Sequence, residues 1–114
     1  MALNDAAQVI AGDAVAAAIT HISLHTTGPV TSSADESTAA RQPVTWTVDA
    51  DGDLSVADVA FTGGAPSGPA VRVGYWSAAT GGTYYGGALL TGDQTFDANG
   101  DYTVETLVES NASV

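Results

Sequence analysis

Residues 71–90 read VRVGYWSAATGGTYYGGALL, and this stretch decides the fold class. It carries one of the two tryptophans and three of the four tyrosines of the chain, interleaved with glycines. Alternation divides its first part between two faces, with Val71, Val73 and Tyr75 on one and Arg72, Gly74 and Trp76 on the other. Residues 79–82, ATGG, supply a turn into a second run, 83–90. We predict a central β-hairpin, and the bulky residues on both faces indicate that it is covered on both sides.

The rest of the chain repeats the period of two that is typical of strands. Residues 20–26, THISLHT, place Ile22 and Leu24 on one face, and from Pro43 onward short apolar alternations are separated by bends. A length of 114 residues suits one domain. We therefore predict a mainly β protein: a seven- to eight-stranded antiparallel sandwich or barrel over 1–114, in which 1–19 form a helix or arm, 20–109 the β-domain and 110–114 a tail.

The alanine-rich segment before the first strand is predicted to form a helix, although Gly12 weakens this prediction. Asn4 or Asp5 can serve as its cap. A narrow apolar stripe runs along it at helical spacing, formed by Leu3, Ala6, Ile10, Ala14 and Ala17. We expect this stripe to lie against a sheet or a neighbouring chain.

The first strand carries two histidines on what we expect to be its outer face. His21 and His25 lie about 13 Å apart at the rise of a strand, too far to share one zinc ion. We therefore expect them at the surface or at an interface, and the predicted contact residues for a partner are Leu3, Ile10, His21 and His25.

Two segments of the chain resemble each other. Residues 47–56, TVDADGDLSV, and 95–104, TFDANGDYTV, match at six of ten positions, and each places Asp-Gly or Asn-Gly between strand-like runs. We predict two similar hairpins in pseudo-symmetric positions. Calcium prefers oxygen ligands at such alternate positions, and the weak candidates are Asp49, Asp51, Asp53, Asp97 and Asp101. Solvated hairpin tips are the competing and favoured interpretation, so we predict no bound metal.

Charge restricts the partners. Thirteen carboxylates stand against two arginines and no lysine, which gives a net charge of -11. Such a surface repels phosphate backbones and anionic lipid, so we expect neither a nucleic acid nor a membrane as partner. The absence of cysteine excludes disulfides and thiolate metal sites.

Catalytic motifs are missing from the sequence. There is no G-x-S-x-G, no H-E-x-x-H and no G-x-x-x-x-G-K-[ST], so we predict a protein that is not an enzyme and has no cofactor. An aromatic set has two interpretations, core packing, which is favoured, and a sugar-stacking platform; its members are Trp46, Trp76, Tyr75, Tyr84 and Tyr85. Residues 28–42 are predicted to form a long polar loop, of a length that is often functional or mobile.

Four segments carry a resemblance to a known family: LNDAAQVIAGDAVAAAITHISLHT (3–26), ARQPVTWT (40–47), VGYWSAATGGTYYGGALLTGDQTF (73–96) and GDYTV (100–104). The chain resembles small virion proteins of tailed phages that infect actinobacteria, and WSAATGGTYYGG is the most specific part. Members of this family are described as tail fibre, minor tail or head-decoration proteins.

The resemblance implies a structural protein of the virion. One compact acidic domain fits a head-decoration protein on the outer capsid surface better than a long, repetitive fibre. We expect the major capsid protein as partner, self-association into a homo-oligomer such as a trimer, and a place on the virion after synthesis in the host cytoplasm. The alternative is a minor tail or tail-fibre protein that binds host glycan through Trp46, Trp76, Tyr84 and Tyr85 and the 28–42 loop.

Overall fold

The computed structural model describes residues 3–110, which form two antiparallel sheets packed as a β-sandwich with one helix at the N-terminus. The mainly β prediction is confirmed in its sandwich form, because the two sheets do not close into a barrel. The elements of this part of the chain are α1 (Asp5–Ala18), β1 (His21–His25), β2 (Gln42–Pro43), β3 (Thr47–Val48), β4 (Leu54–Phe61), β5 (Arg72–Trp76), β6 (Tyr84–Leu89) and β7 (Tyr102–Glu109). Within residues 3–110 no helix has the length and apolar character needed to cross a membrane. Of the predicted tail, 111–114 lie outside the described residues.

The first sheet has the order β2-β1-β5-β6 and contains the predicted central hairpin. In β5, which lies between β1 and β6, every residue is buried. The hairpin and its two covered faces are therefore confirmed. The strand β6 is an edge, and a bulge opposite Tyr75 and Trp76 interrupts its ladder, which is a common way to stop an exposed edge from pairing further.

The second sheet has the order β3-β4-β7 and shows a local two-fold relation. Leu54 and Tyr102 are the first residues after the two similar turns, and Leu54 pairs with Glu109 while Phe61 pairs with Tyr102. In both turns the first Asp accepts, through Oδ1, the backbone N–H groups two and four residues later. The pseudo-symmetric placement of the two turns is thus confirmed.

The strand predictions are wrong in two places. Thr95 and Phe96 do not form the first arm of a second hairpin, because Thr95 bridges Pro69 and Phe96 donates its N–H to the Gly68 carbonyl. The apolar alternation directly after Pro43 also predicts a strand, but over residues 44–48 only Thr47 and Val48 form one, which is β3. Around Thr95 and Phe96, residues 68–70 take the backbone hydrogen bonds that a hairpin ladder would have used.

One hydrophobic core fills the space between the sheets. Ile22, Leu24 and Val73 are fully buried in it, and Phe61 enters from the opposite sheet. The Trp46 ring meets Tyr75 edge-on with the centroids 5.8 Å apart, and its Nε1 donates to the Ile19 carbonyl at 3.0 Å. Trp46 therefore anchors the end of the helix segment to the core and satisfies its own polar atom.

Candidate functional site

The helix packs on the domain with the face opposite to the predicted one. Asn4 caps it through a bond from the Ala7 N–H to Oδ1, as predicted. Its buried residue is Gly12, where an added Cβ would lie 2.5 Å from the backbone oxygen of Gly52. Glycine thus permits a close approach of two backbones, and Ala16 and Val48 pack against the core beside it.

The predicted apolar stripe consequently faces away from the sheets. Leu3 is half-buried, but Ala6, Ala14 and Ala17 are exposed and Ile10 is 72% exposed. The expectation that the stripe lies against a sheet is wrong. We call the exposed residues Ala6, Ile10, Ala14 and Ala17 the helix face; it has no covering element among residues 3–110.

The two histidines do not share an exposed face. His21 is half-buried, with Nδ1 2.9 Å from the Thr20 hydroxyl, whereas His25 is completely buried. The prediction that His25 is an outer contact residue is wrong because residues 26–41, which we call the covering loop, lie over that side of the first sheet. Period-two patterning placed His21 and His25 on the same side of β1, but it could not show that the covering loop lies over His25.

A buried hydrogen-bond chain lies under the covering loop. Its polarity is fixed at one end, because a carbonyl only accepts: His25 Nδ1 must donate to the Ala34 oxygen, 2.8 Å away. Nε2 of the neutral ring then accepts from the Ser23 hydroxyl at 2.6 Å, and Trp76 Nε1 donates to that Ser23 oxygen at 2.8 Å. Burial is the main cause that lowers the pKa of His25, so the neutral ring required by this chain is favoured.

Arg72 ties the covering loop to the sheet. Its guanidinium, completely buried, donates to the carbonyls of Thr27 and Ala34 and to the Tyr84 hydroxyl, which in turn donates to the Val30 carbonyl. The planar guanidinium thus binds two carbonyls of the covering loop and one hydroxyl of β6 at the same time. Sequence reasoning missed this role, although a charged residue within a strand expected to be covered on both sides needs buried partners.

Arg41, the last residue of the covering loop, attaches that end of the loop to the turn between β5 and β6. It forms a two-pronged pair with Glu36 at 3.0 Å, donates to the carbonyls of Ala78 and Gly81, and places Cζ 3.5 Å from the centre of the Trp76 ring. Its side chain is only 8% exposed. Both arginines of the protein are therefore occupied internally, and neither guanidinium offers its charge to a partner.

Ser23 and His25 have the separation of a nucleophile and its general base. Both side chains are completely buried, and the Ser23 oxygen already accepts from Trp76. Gly74 pairs with Ser23 on the neighbouring strand β5, and a Cβ added there would come within 2.6 Å of both polar atoms. A substrate cannot reach the pair in this conformation, so its evident task is to hold the loop on the sheet.

The aromatic set does not form one exposed platform. Trp46 and Tyr75 pack between the sheets, whereas Trp76 lies on the opposite side of its sheet against Tyr84, with centroids 5.0 Å apart. Both tryptophans are 8% exposed. Tyr85 alone of the five is exposed, and it stands apart at the edge strand β6.

The calcium candidates lie in two separate turns. Asp49, Asp51 and Asp53 can bring one oxygen each within 4.8 Å of one another, but Asp49 Oδ1 already accepts two backbone N–H groups. Asp97 in the second turn is occupied in the same way. The carboxylates thus stabilise the turns themselves, which is the behaviour of solvated Asx-type tips.

Two grooves open at the side of the sandwich where β6 and β7 are edges. The larger, of about 530 Å³, runs along β7 and is bordered by Asp93, Asp97, Asp101 and Glu105. The smaller, of about 340 Å³, lies between the last turn of α1 and β6, and we call it the α1–β6 groove. Its walls are largely apolar, which makes it unlike the acidic groove next to it.

Comparison of the chain with protein-family models, with curated protein sequences and with solved structures gave no match.

Proposed function

We propose that the protein is a non-enzymatic structural component of a phage virion, a decoration protein set on the outer surface of the capsid. The helix face carries this proposal. It presents Ile10, the most exposed of the large apolar side chains in the described part of the chain, together with three alanines to solvent. The other large apolar side chains that are exposed lie elsewhere, at Val15, Tyr85, Leu89 and Val108. An apolar face without a covering element in its own domain is typical of a contact with another protein.

The charge distribution supports a protein partner. With both arginines held inside and thirteen carboxylates in the chain, the outer surface is of one sign, which disfavours nucleic acid and anionic membranes. The major capsid protein is the proposed partner, and the helix face is also the surface through which copies could associate into the expected homo-oligomer. The virion sequence motifs described above point in the same direction.

A capsid-binding experiment tests the proposal. Undecorated capsids of the parent phage are mixed with purified protein, and occupancy is measured by sedimentation and by electron cryo-microscopy. We expect the wild type to bind and Ile10→Glu to lose most of its occupancy, because a carboxylate would be buried in the contact. The matched control is Val108→Glu, since Val108 is 57% exposed on a different element; it should bind as the wild type does.

Labelling of the protein on intact phage particles distinguishes the alternative function. A minor tail or tail-fibre protein that binds host glycan predicts labelling confined to the tail and a selective signal on a glycan array. The buried positions of Trp46 and Trp76 leave Tyr85 as the exposed member of the proposed platform. Tail labelling, or equal capsid binding by Ile10→Glu and wild type, would contradict the capsid proposal.

A further inference from the structure

The α1–β6 groove combines apolar walls with one carboxylate. Val15 and Ala18 line it from the last turn of α1, and Tyr85, which is 50% exposed, lines it from β6. Glu109, the last residue of β7, reaches the groove beside Tyr75. The side chain that fits such a groove has an aliphatic stem and a polar end.

Two features make the polar end of the groove negative. Glu109 Oε2 accepts from the Tyr75 hydroxyl at 2.8 Å, and burial together with this bond raises the pKa of Tyr75, which keeps the phenol as a neutral donor. The last turn of α1, which forms one wall, contains no basic residue. The negative end of the helix dipole is therefore not neutralised by a side chain of its own turn.

Neither arginine of a second copy can supply a cation to this groove from its observed position. The chain contains no lysine. Arg72 is completely buried, and Arg41 is held by Glu36, by two carbonyls and by the Trp76 ring. A copy docking here would bring further carboxylates toward Glu109, and like charges repel at such distances.

We propose that the α1–β6 groove binds a lysine or arginine side chain of a different protein. The aliphatic stem lies along Val15 and Ala18, the cationic end approaches Glu109, and the exposed Tyr85 ring packs against the stem or the charge. Long basic side chains bury their stems in this way while the charged end stays at the edge of the pocket, and an aromatic face adds attraction for a cation. The proposal deepens the proposed function by giving the chemistry of the partner contact.

Peptide titration of the isolated, full-length protein tests this proposal. The probes are acetyl-Leu-Arg-Leu-amide and the same peptide with citrulline, which keeps the shape of arginine without its charge. Backbone amide shifts of the ¹⁵N-labelled protein report the site and the apparent Kd. We expect the arginine peptide to shift Val15, residues 85–87 and Glu109, and to bind about three- to ten-fold more tightly than the citrulline peptide, as one partly exposed charged contact predicts.

Two variants and a control locate the interaction. Glu109→Gln keeps an acceptor for Tyr75 but removes the charge, so it should abolish the preference for arginine over citrulline; Tyr85→Ser should weaken both peptides. Glu105→Gln, an exposed change on the same strand outside this groove, should bind both peptides as the wild type does. An unchanged amide spectrum away from each substitution confirms the fold.

Three outcomes would overturn the proposal. The first is equal affinity for both peptides in the wild type, and the second is a set of shifts confined to the acidic groove along β7. The third is a dimer in sedimentation with groove shifts that depend on protein concentration, which would make a second copy the occupant. Because no capsid is present, failure of this binding leaves the localisation test of the proposed function unaffected.

Discussion

The replacement Arg72→Met tests whether one buried guanidinium holds the covering loop. Methionine keeps an unbranched apolar stem, shorter than that of arginine, and removes every donor. The carbonyl of Ala34 keeps the bond from His25, and Tyr84 keeps its own donation to Val30. The Thr27 carbonyl loses the donor that Arg72 provides.

The size of the effect follows from two opposing contributions. Hydrogen bonds from a charged donor contribute about 1.5–3 kcal/mol each, and Arg72 makes three of them. The variant no longer buries a charge, so the desolvation penalty of several kcal/mol that opposes folding of the wild type is absent. We therefore expect a net loss of about 2–4 kcal/mol in the free energy of unfolding, a large part of the ~5–15 kcal/mol typical of a domain.

Urea unfolding and amide hydrogen exchange measure the two parts of this prediction. The unfolding midpoint gives the global loss, and exchange of the Thr26 and Ser37 amides, which donate to Asp35 and Leu24 carbonyls, reports the loop. Arg72→Lys is the matched control for charge: a single ammonium cannot reach three acceptors at once, so it should be destabilised nearly as much as Arg72→Met. A loss below about 1 kcal/mol for Arg72→Met, or recovery of stability by lysine, would refute the reasoning.

Three further predictions concern the helix, the buried histidine and the acidic turns. Gly12→Ala should destabilise by about 1–3 kcal/mol despite the better helix propensity of alanine, because its Cβ meets a backbone oxygen at 2.5 Å; thermal melts against the exposed control Ala14→Gly check this, and a stabilised Gly12→Ala protein would contradict it. Because the pKa of His25 lies below its ordinary value, its stabilising contribution is complete above about pH 6.5 and is lost as pH falls through the lowered pKa. The measurement is the stability difference between wild type and His25→Gln from pH 8 to 5, and a difference that does not shrink toward acid pH would count against a neutral buried ring. Calcium at about 1 mM, the affinity range of weak sites, should leave the melting temperature unchanged because Asp49 Oδ1 is already bonded; a clear rise that Asp51→Asn removes would establish a calcium site.

Period-two patterning was sufficient to predict a sandwich or barrel and its central hairpin, and the two separate sheets of the structure decide for the sandwich. The alternation in residues 71–76 carried the information, because one face holds core residues such as Val73 and the other holds large side chains that need cover. The Asp-Gly and Asn-Gly pairs located two turns whose hydrogen bonds agree atom for atom. Such turns can be predicted from the sequence because their hydrogen bonds join residues that are close together in the chain.

The orientation of the helix could not be read in the same way. Hydrophobic spacing predicted that the stripe with Ile10 lies against a sheet or a neighbouring chain, and only the sheet is excluded by the structure. Alanines carry little apolar area, so the pattern has little energetic weight. The contact is decided by Gly12, whose missing side chain lets two backbones meet. The residue that weakened the helix prediction is thus the residue that docks the helix.

The position of His25 was mispredicted for a related reason. A histidine at an alternate strand position is predicted to face solvent unless the segment that buries it is known. Here that segment is the covering loop, which has no apolar pattern of its own. Arg72 was the available signal. Its place next to buried residues, in a chain with only one other basic side chain, indicates that carbonyls or hydroxyls must surround it, and only a nearby loop can supply them.

Holding both arginines inside has a consequence for recognition as well as for stability. The covering loop contains few large apolar residues, so hydrogen bonds from Arg72 and Arg41 replace the hydrophobic contacts that would otherwise keep it on the sheet. Arg41 pairs with Glu36 of its own domain and Arg72 is buried, so neither arginine is left at the surface to neutralise the carboxylates of another copy. Self-association through charged surfaces is thereby disfavoured, whereas a basic partner is attracted over the whole domain. Contacts between copies would then have to use the uncharged helix face, and contacts with a different protein can add the carboxylate of Glu109.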